Sequence, residues 1–254
     1  MPVEAGDLLR SASGFALVLI RIAGMFVFLP LPGTRSAPPV ARIMLAAIVA
    51  AAMRPLWPET GVLTGGQLLV AAAAETALGL SIGLAATVIE EAFLLGAQIL
   101  SLQAGYSFAT TIDPTSQADS GVLQVFMGLM SGLLFFSFGL HVFLMRAVAE
   151  SLVTMPPGTG WHGNSSAALI PLAGEIFPTG LRLAMPVIAL LLLVDVSLAL
   201  LGRINAQLQL LSLAFPAKMA VGLGVLAGTT AMAAALYQQF AARSLEVVRG
   251  LIRN

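Results

Sequence analysis

The sequence contains no cysteine and only two histidines among its 254 residues. The lack of cysteine excludes disulfides, thiolate metal sites and cysteine nucleophiles. Two histidines without cysteine argue against a dedicated transition-metal site. A phosphate-binding loop of the G-x-x-x-x-G-K-[ST] type is also missing, which excludes nucleotide hydrolysis by that route. We therefore expect neither a metal nor another cofactor.

Serine catalysis has little support in the sequence. Ser131 and His141 are ten positions apart, which is about 15 Å along one helix. A nucleophile and its base must lie about 3 Å apart. No motif marks another serine as the partner of His141, so the chain is predicted not to be an enzyme.

Charged residues are scarce. They make up 9% of the chain and hydrophobic residues 58%, whereas soluble domains contain roughly 25% and 45–50%. So few charges cannot cover a surface that faces water, and the composition predicts an integral membrane protein. Twelve Lys and Arg residues balance twelve Asp and Glu residues. No basic surface is therefore expected for nucleic acid.

Long apolar runs separated by Pro and Gly turns predict six or seven helices, some of them broken. No soluble domain is expected. The net acidic start, and Arg21 within the first apolar run, favour a retained helix over a cleaved signal peptide. Three arginines in the last dozen residues favour a cytoplasmic tail. The apolar runs are 12–31, 41–53, 67–89, 92–112, 120–145, 183–202 and 219–242, of which 120–145 and 219–242 are the strongest candidate spans.

Five charges lie inside or beside these runs: Arg21, Glu75, Arg182, Asp195 and Arg203. A charge at the centre of a bilayer costs about 2.5–3.5 kcal/mol on insertion scales, so such residues usually face a partner or a cavity. They fit a polar conduit or a subunit interface. They also fit structural ion pairs, or charges at helix ends that reach the membrane surface.

Small residues form stripes on several predicted helices. They are Ala71, Gly79, Gly83 and Thr87 around Glu75, then the pair Gly128 and Gly132, then the pair Gly224 and Gly228. Small residues at this spacing let helix backbones approach closely in a membrane. The pattern fits internal packing and packing against other subunits equally well.

The segment 98–120 is rich in Ser, Thr and Gln and carries no charge before Asp113. It is too polar for a helix that faces lipid. Irregular backbone at membrane depth is tolerated only inside protein or beside water. The segment is therefore expected to line or plug an internal passage, with an ordinary exterior loop as the alternative.

A series of short motifs runs along most of the chain. In chain order they are Arg21-Ile22-Ala23-Gly24 with Pro30, Pro39 and Arg42; Glu75, Gly79 and Gly83; Gln103 to Phe108 with Asp113-Pro114; Gly139-Leu140-His141 with Glu150-Ser151 and Pro156-Pro157-Gly158; and Arg203 to Gln207 with Phe215 to Lys218 and Gly222-Leu223. Each motif is weak alone, but their order resembles that of the FliR family, which is related to the export gates of type III secretion.

The resemblance implies one export-gate membrane domain over residues 1–254. The expected fold is an all-α, multi-helix integral membrane protein with broken helices and helical hairpins, a FliP-like portion and a FliQ-like portion. Implied partners are FliP-like and FliQ-like subunits, an export-apparatus membrane protein on the cytoplasmic side, unfolded export substrates and membrane lipid. The implied location is the bacterial inner membrane, in the flagellar basal body.

The resemblance also assigns two sets of residues. A gating plug is implied at Gly105, Phe108, Thr110, Ile112, Asp113 and Pro114. Candidates for subunit interfaces or buried charges are Arg21, Glu75, Gly79, Gly83, Asp195, Arg203, Gln207 and Lys218. Two alternatives stay open. An injectisome subunit of the same family fits the motifs, and a small-molecule secondary transporter fits broken helices with buried charges.

Overall fold

The computed structural model describes residues 5–29, 38–57, 64–106, 121–159, 167–204 and 210–253. These residues form mainly α-helices, with short 3-10 segments at Arg54–Leu56 and at 167–168, and no strand lies among them. The all-α prediction is confirmed. The helices are α1 Ala5–Phe28, α2 Pro39–Ala52, α3 Gly65–Ala104, α4 Val122–Ser137, α5 Leu140–Thr154, α6 Leu169–Gly174, α7 Ile176–Ile204, α8 Leu210–Gly228 and α9 Thr230–Arg253.

Three segments among the described residues are long and apolar enough to cross a membrane. They are Ser11–Phe28 within α1, all of α3, and Leu169–Ile204, which comprises α6 and α7. Two bent pairs raise the number of candidate spans to five: α4 with α5 at 61°, and Pro216–Gly228 with Thr230–Ile252 at 58°. The chain is therefore a multi-helix membrane protein, as its composition predicts.

The helix boundaries differ from the sequence prediction at several points. The runs 67–89 and 92–112 belong to one continuous helix as far as Ala104, because Glu90 and Glu91 between them are good helix formers and do not break it. The run 120–145 bends at Gly139, which has a φ of +68°. The run 219–242 bends between Gly228 and Thr230. The two strongest apolar runs are thus broken helices.

The chain divides into two compact units. The first comprises residues 1–88, 135–173 and 241–254, and the second comprises 89–134 and 174–240. In the first unit, α1 packs against α2, and the Ser244 hydroxyl of α9 donates to the Ala85 carbonyl of α3. In the second unit, α7 packs against α8, and Phe93 meets Tyr237 edge to face with ring centroids 5.3 Å apart.

Gly79 and Gly83 bring the backbone of α3 against that of α1. A Cβ added at Gly83 would lie 2.6 Å from the Met25 carbonyl oxygen, and one added at Gly79 would overlap the Arg21 carbonyl oxygen. Neither position tolerates a side chain without moving the helices apart. This stripe of small residues therefore serves packing within the chain. A Cβ at Gly224 or Gly228 would meet nothing within 4 Å.

Candidate functional site

A buried cluster of polar groups surrounds Arg21 in the first unit. Arg21 is 1% exposed and Glu75 is 4% exposed. The Arg21 Nε donates to Glu75 Oε2 at 2.5 Å. Its Nη1 donates to the Ser151 carbonyl at 2.8 Å and to the Ser151 hydroxyl at 3.1 Å. Its Nη2 donates to the Met155 carbonyl at 2.8 Å. We call this set, with Gly158, the Arg21 cluster.

The other carboxylate oxygen of Glu75 is also bonded. Glu75 Oε1 accepts the backbone N–H of Gly158 at 3.3 Å. Gly158 has a φ of +92°, a conformation that glycine adopts without the steric cost that other residues incur. The carboxylate therefore bonds to the turn that follows α5 as well as to α1. Buried charges are tolerated when they are paired and hydrogen-bonded, and both conditions hold here.

The Arg21 cluster joins distant parts of the sequence. Arg21 comes from α1 and Glu75 from α3, while Ser151 and Met155 lie at the end of α5. The guanidinium bonds to two carbonyl groups at the C-terminus of α5, that of Met155 and that of Ser151, which also accepts the Met155 N–H. A cation beside these carbonyls also interacts favourably with the helix dipole. The cluster thus fixes the end of α5 against two apolar helices.

A second polar cluster lies in the second unit, where α3, α7 and α8 meet. Lys218 Nζ lies 2.5 Å from Asp195 Oδ1. The Gln103 side-chain amide donates to Asp195 Oδ2 at 3.4 Å, and Lys218 Nζ donates to the Gln103 carbonyl at 3.5 Å. We call these three residues the Lys218 cluster. It holds the C-terminal end of α3 against both other helices.

The chain leaves α3 through a glycine turn. Gly105 has a φ of +82°. Its N–H donates to the Leu102 carbonyl at 3.3 Å, and the Tyr106 N–H donates to the Ser101 carbonyl at 3.0 Å. These two bonds form the Schellman arrangement, in which glycine is strongly favoured at the left-handed position. The direction in which the chain continues is therefore set by Gly105.

Tyr106 adds another contact at this turn. Its hydroxyl donates to the Met219 carbonyl at 3.3 Å, one residue beyond Lys218. Partial burial raises the pKa of the Tyr106 phenol above its usual value of 10.0. The hydroxyl therefore keeps its proton at neutral pH and remains a donor. Tyr106 and the Lys218 cluster together attach the start of the predicted plug segment to α7 and α8.

The predicted site residues have different outcomes. The structure brings Arg21 to Glu75 and Asp195 to Lys218, while Arg203 is exposed on α7. Of the predicted plug residues, Gly105 alone is described. The residues that lie outside the described ranges are Phe108, Thr110, Ile112, Asp113, Pro114 and Gln207. Within the described ranges, no group of three or more His, Asp or Glu residues is placed to hold a metal ion.

Sequence reasoning missed several residues that build these sites. Ser151 and Met155 complete the Arg21 cluster, and motif order alone did not identify them as partners of Arg21. Gly180 was also missed: a Cβ there would lie 2.8 Å from the Ala92 carbonyl oxygen. Its signal is a glycine within an apolar helix, which often marks close backbone approach in membranes.

Comparison with known proteins identifies the family. A family described as bacterial export proteins, family 1, matches residues 12–244. The flagellar biosynthetic protein FliR of Escherichia coli K12 is 31% identical over 211 residues, covering 82% of this chain and 81% of that protein. FliR of Caulobacter vibrioides is 29% identical, covering 84% of this chain and 86% of that protein. FliR of Bacillus subtilis is 26% identical over 243 residues, covering 94% of each. The chain therefore belongs to the FliR family of bacterial export proteins and is a membrane-embedded component of the flagellar export apparatus.

Proposed function

We propose that this chain is a subunit of the flagellar type III protein-export gate and acts without enzymatic chemistry. It assembles with FliP-like and FliQ-like subunits in the bacterial inner membrane, at the flagellar basal body. An export-apparatus membrane protein lies on its cytoplasmic side, and unfolded export substrates pass through the assembly. Membership of the FliR family and the candidate spans support this proposal.

One observation supports the plug role. The polar segment begins at the end of α3, and that end is held by contacts with α7 and α8. Residues 107–112 contain Ser, Thr and Phe and no charge. The chain enters this segment at Gly105, directly after the contacts of Gln103 with Asp195 and Lys218. These contacts and the turn at Gly105 fix the direction in which the segment leaves α3. We assign the closing of the passage to Gly105, Phe108, Thr110, Ile112, Asp113 and Pro114.

The paired charges have a positioning role in this proposal. Arg21 and Glu75 form an ion pair, and Arg21 also bonds to the end of α5. Asp195 and Lys218 form a second ion pair that holds the end of α3. Partner subunits are therefore recognised by other surfaces. Partner helices dock on the outward face of α4, where six exposed apolar residues form a stripe along one side of the helix. These are Val122, Val125, Phe126, Leu129, Leu133 and Phe136.

Deletion of the plug tests the gating role. Residues 108–114 are replaced by a short Gly-Ser linker, and the assembled complex is placed in a bilayer for measurement of ion conductance. The closed gate is expected to leak while the complex still purifies with its partners. A matched control replaces residues 160–163 in the polar loop after α5, and this variant should stay closed.

An unchanged conductance in a correctly assembled deletion variant would contradict the plug role. A small-molecule transporter makes a different prediction, because its spans are often discontinuous around a substrate site. The purified chain would then gain thermal stability with one solute and lack any need for partner subunits. Such a result would replace the gate proposal.

A further inference from the structure

We propose that the ends of α3, α4 and α8 form a fixed base that stays together while export substrates pass. The base consists of Ser101 and Ala104 of α3, Gly121 at the start of α4, and Gly222 of α8. This inference rests on the proposed plug role and adds which part of the fold does not move. Opening of the gate then requires no separation of α3 from α4 or from α8.

The helices α3 and α4 pack against each other in opposite directions. A Cβ added at Gly121 would lie 3.4 Å from the Ser101 Oγ and 3.9 Å from the Ser101 Cβ. A Cβ added at Gly128 would lie 3.5 Å from the Leu94 Cδ2. Between these two contacts the chain advances along α4 by as many positions as it goes back along α3. This register is that of an antiparallel helical hairpin.

The connection between the two helices is far longer than this hairpin requires. Connections between neighbouring helices usually have about 2–8 residues. Here α3 ends at Ala104 and α4 begins at Val122, so the connection is at least twice that length. Because Ser101 and Gly121 already meet, the extra length does not hold the helices apart. It is available for the plug.

Hydrogen bonds fix both ends of the connection at the base. The Tyr106 N–H donates to the Ser101 carbonyl at 3.0 Å. The Gly121 N–H donates to the Gln124 Oε1 at 3.1 Å, as the third residue of a helix does in a capping box. Ser101 therefore contacts the chain where it leaves α3 and again where it enters α4.

The helix α8 packs against the same end of α3. A Cβ added at Gly222 would lie 3.5 Å from the Ala104 Cβ, and Ala104 is 1% exposed. About one turn earlier on α8, the Met219 carbonyl accepts the Tyr106 hydroxyl bond at 3.3 Å. The end of α3 is thus held by α8 as well as by α4.

Apolar packing around the base opposes its separation. Leu100, Ala104, Leu123 and Met127 are all buried, and each lies within two turns of Ser101 or Gly121. Parting the helices here would open a gap in this packing, and side chains beside a gap lose their dispersion contacts. A movement confined to the chain beyond Tyr106 leaves the packing intact.

The absence of cysteine allows the base to be locked chemically. Cβ atoms joined by a disulfide lie about 3.5–4.5 Å apart, and the separations at the two contacts are 3.9 and 3.5 Å. One variant combines Ser101→Cys with Gly121→Cys, and the other combines Ala104→Cys with Gly222→Cys. Each replaces the unmodified chain in cells of the same bacterium. A mild oxidant forms the disulfide, and mass spectrometry measures the linked fraction.

Secreted flagellin should be unchanged when either variant is oxidised, and it should match the amount secreted with the unmodified chain. The four single-cysteine variants, treated with the same oxidant, are the controls for the substitutions and for the reagent. A several-fold loss of secretion on oxidation, reversed by a reductant, would show that the base must part and would overturn the proposal. If the unmodified chain itself did not support secretion, the proposed function would fail, and this inference with it.

Discussion

Arg21 and Glu75 are 54 positions apart in the sequence, and their side chains form an ion pair at 2.5 Å inside the first unit. The sequence left four roles open for these charges: a structural ion pair, charges at helix ends that reach the membrane surface, a polar conduit or a subunit interface. The geometry favours the first, because each group is almost fully buried and bonds to the end of α5 as well. The pair therefore acts within the chain.

Removal of one partner should destabilise the chain strongly. Arg21→Met and Glu75→Leu are each expected to lower the free energy of unfolding by about 3–5 kcal/mol, because each leaves an unpaired buried charge. The double variant Arg21→Met with Glu75→Leu should lose less than either single variant. Unfolding titrations in mixed detergent micelles measure these values.

Ser151→Ala is the control for this pair, with an expected loss of about 1–3 kcal/mol, because its hydroxyl accepts from Arg21 and donates to the Val148 carbonyl. The double-mutant cycle decides the question. If the losses of the two single variants simply add in the double variant, the ion pair does not stabilise the fold in the way described.

Close packing of α1 on α3 gives a second prediction. Gly79→Ala and Gly83→Ala should each reduce the amount of folded chain sharply, because the new Cβ would collide with the backbone of α1. Gly224→Ala and Gly228→Ala are matched controls at the same spacing, with open space around each glycine. These controls should be neutral or gain up to about 1 kcal/mol from better helix propensity.

Size-exclusion profiles and thermal unfolding of the chain purified alone separate the two glycine pairs. Equal sensitivity at both pairs would contradict the assignment of Gly79 and Gly83 to packing within the chain.

The Asp195–Lys218 pair is expected to depend on opposite charge and not on residue identity. Asp195→Asn and Lys218→Met should each reduce motility and protein export, since the end of α3 loses an attachment to α7 and α8. The exchanged variant Asp195→Lys with Lys218→Asp should recover a large part of both. Swimming-ring diameter and secreted flagellin measure the recovery.

Failure of the exchange, together with normal amounts of assembled complex, would indicate that Lys218 or Asp195 acts on something other than its partner in this chain.

Gly105→Ala tests the turn at the start of the plug segment. The left-handed conformation costs a residue with a Cβ about 1–2 kcal/mol, so the turn is expected to rearrange. The complex should assemble normally and conduct ions in the closed state. Gly66→Ala is the control, because Gly66 lies at the opposite end of α3 and has open space around it. If the complex with Gly105→Ala conducts no ions, the conformation of this turn is not needed to keep the gate closed.

The sequence predicted some features well because composition and periodicity determine them locally. Scarce charge and long apolar runs were sufficient for an all-α membrane protein. The motifs around Arg21 and Glu75 marked regions that meet in the first unit, and those around Gln103 and Lys218 marked regions that meet in the second. The pairings themselves were not predictable, since Arg21 finds Glu75 and Ser151 across large separations in the chain.

Broken helices were expected from the sequence, but two apolar runs show why the positions of the breaks were not predicted. The runs 120–145 and 219–242 are the most apolar by inspection, yet each contains a bend of about 60°. Hydropathy measures the preference of side chains for apolar surroundings and contains no information on where a helix bends. The local signal was Gly139, whose positive φ is compatible with a change of direction. Glu90 and Glu91 had the opposite effect. They divide the apolar sequence into two runs, yet α3 continues through them as one helix.

The central claim is that this chain is a subunit of the export gate, and native mass spectrometry tests it most directly. The chain is co-expressed with FliP-like and FliQ-like proteins from the same genome, purified in detergent and measured intact. The account predicts one stable complex that contains a single copy of this chain with several copies of each partner. A chain that binds neither partner, although all three proteins are produced together and folded, would contradict it.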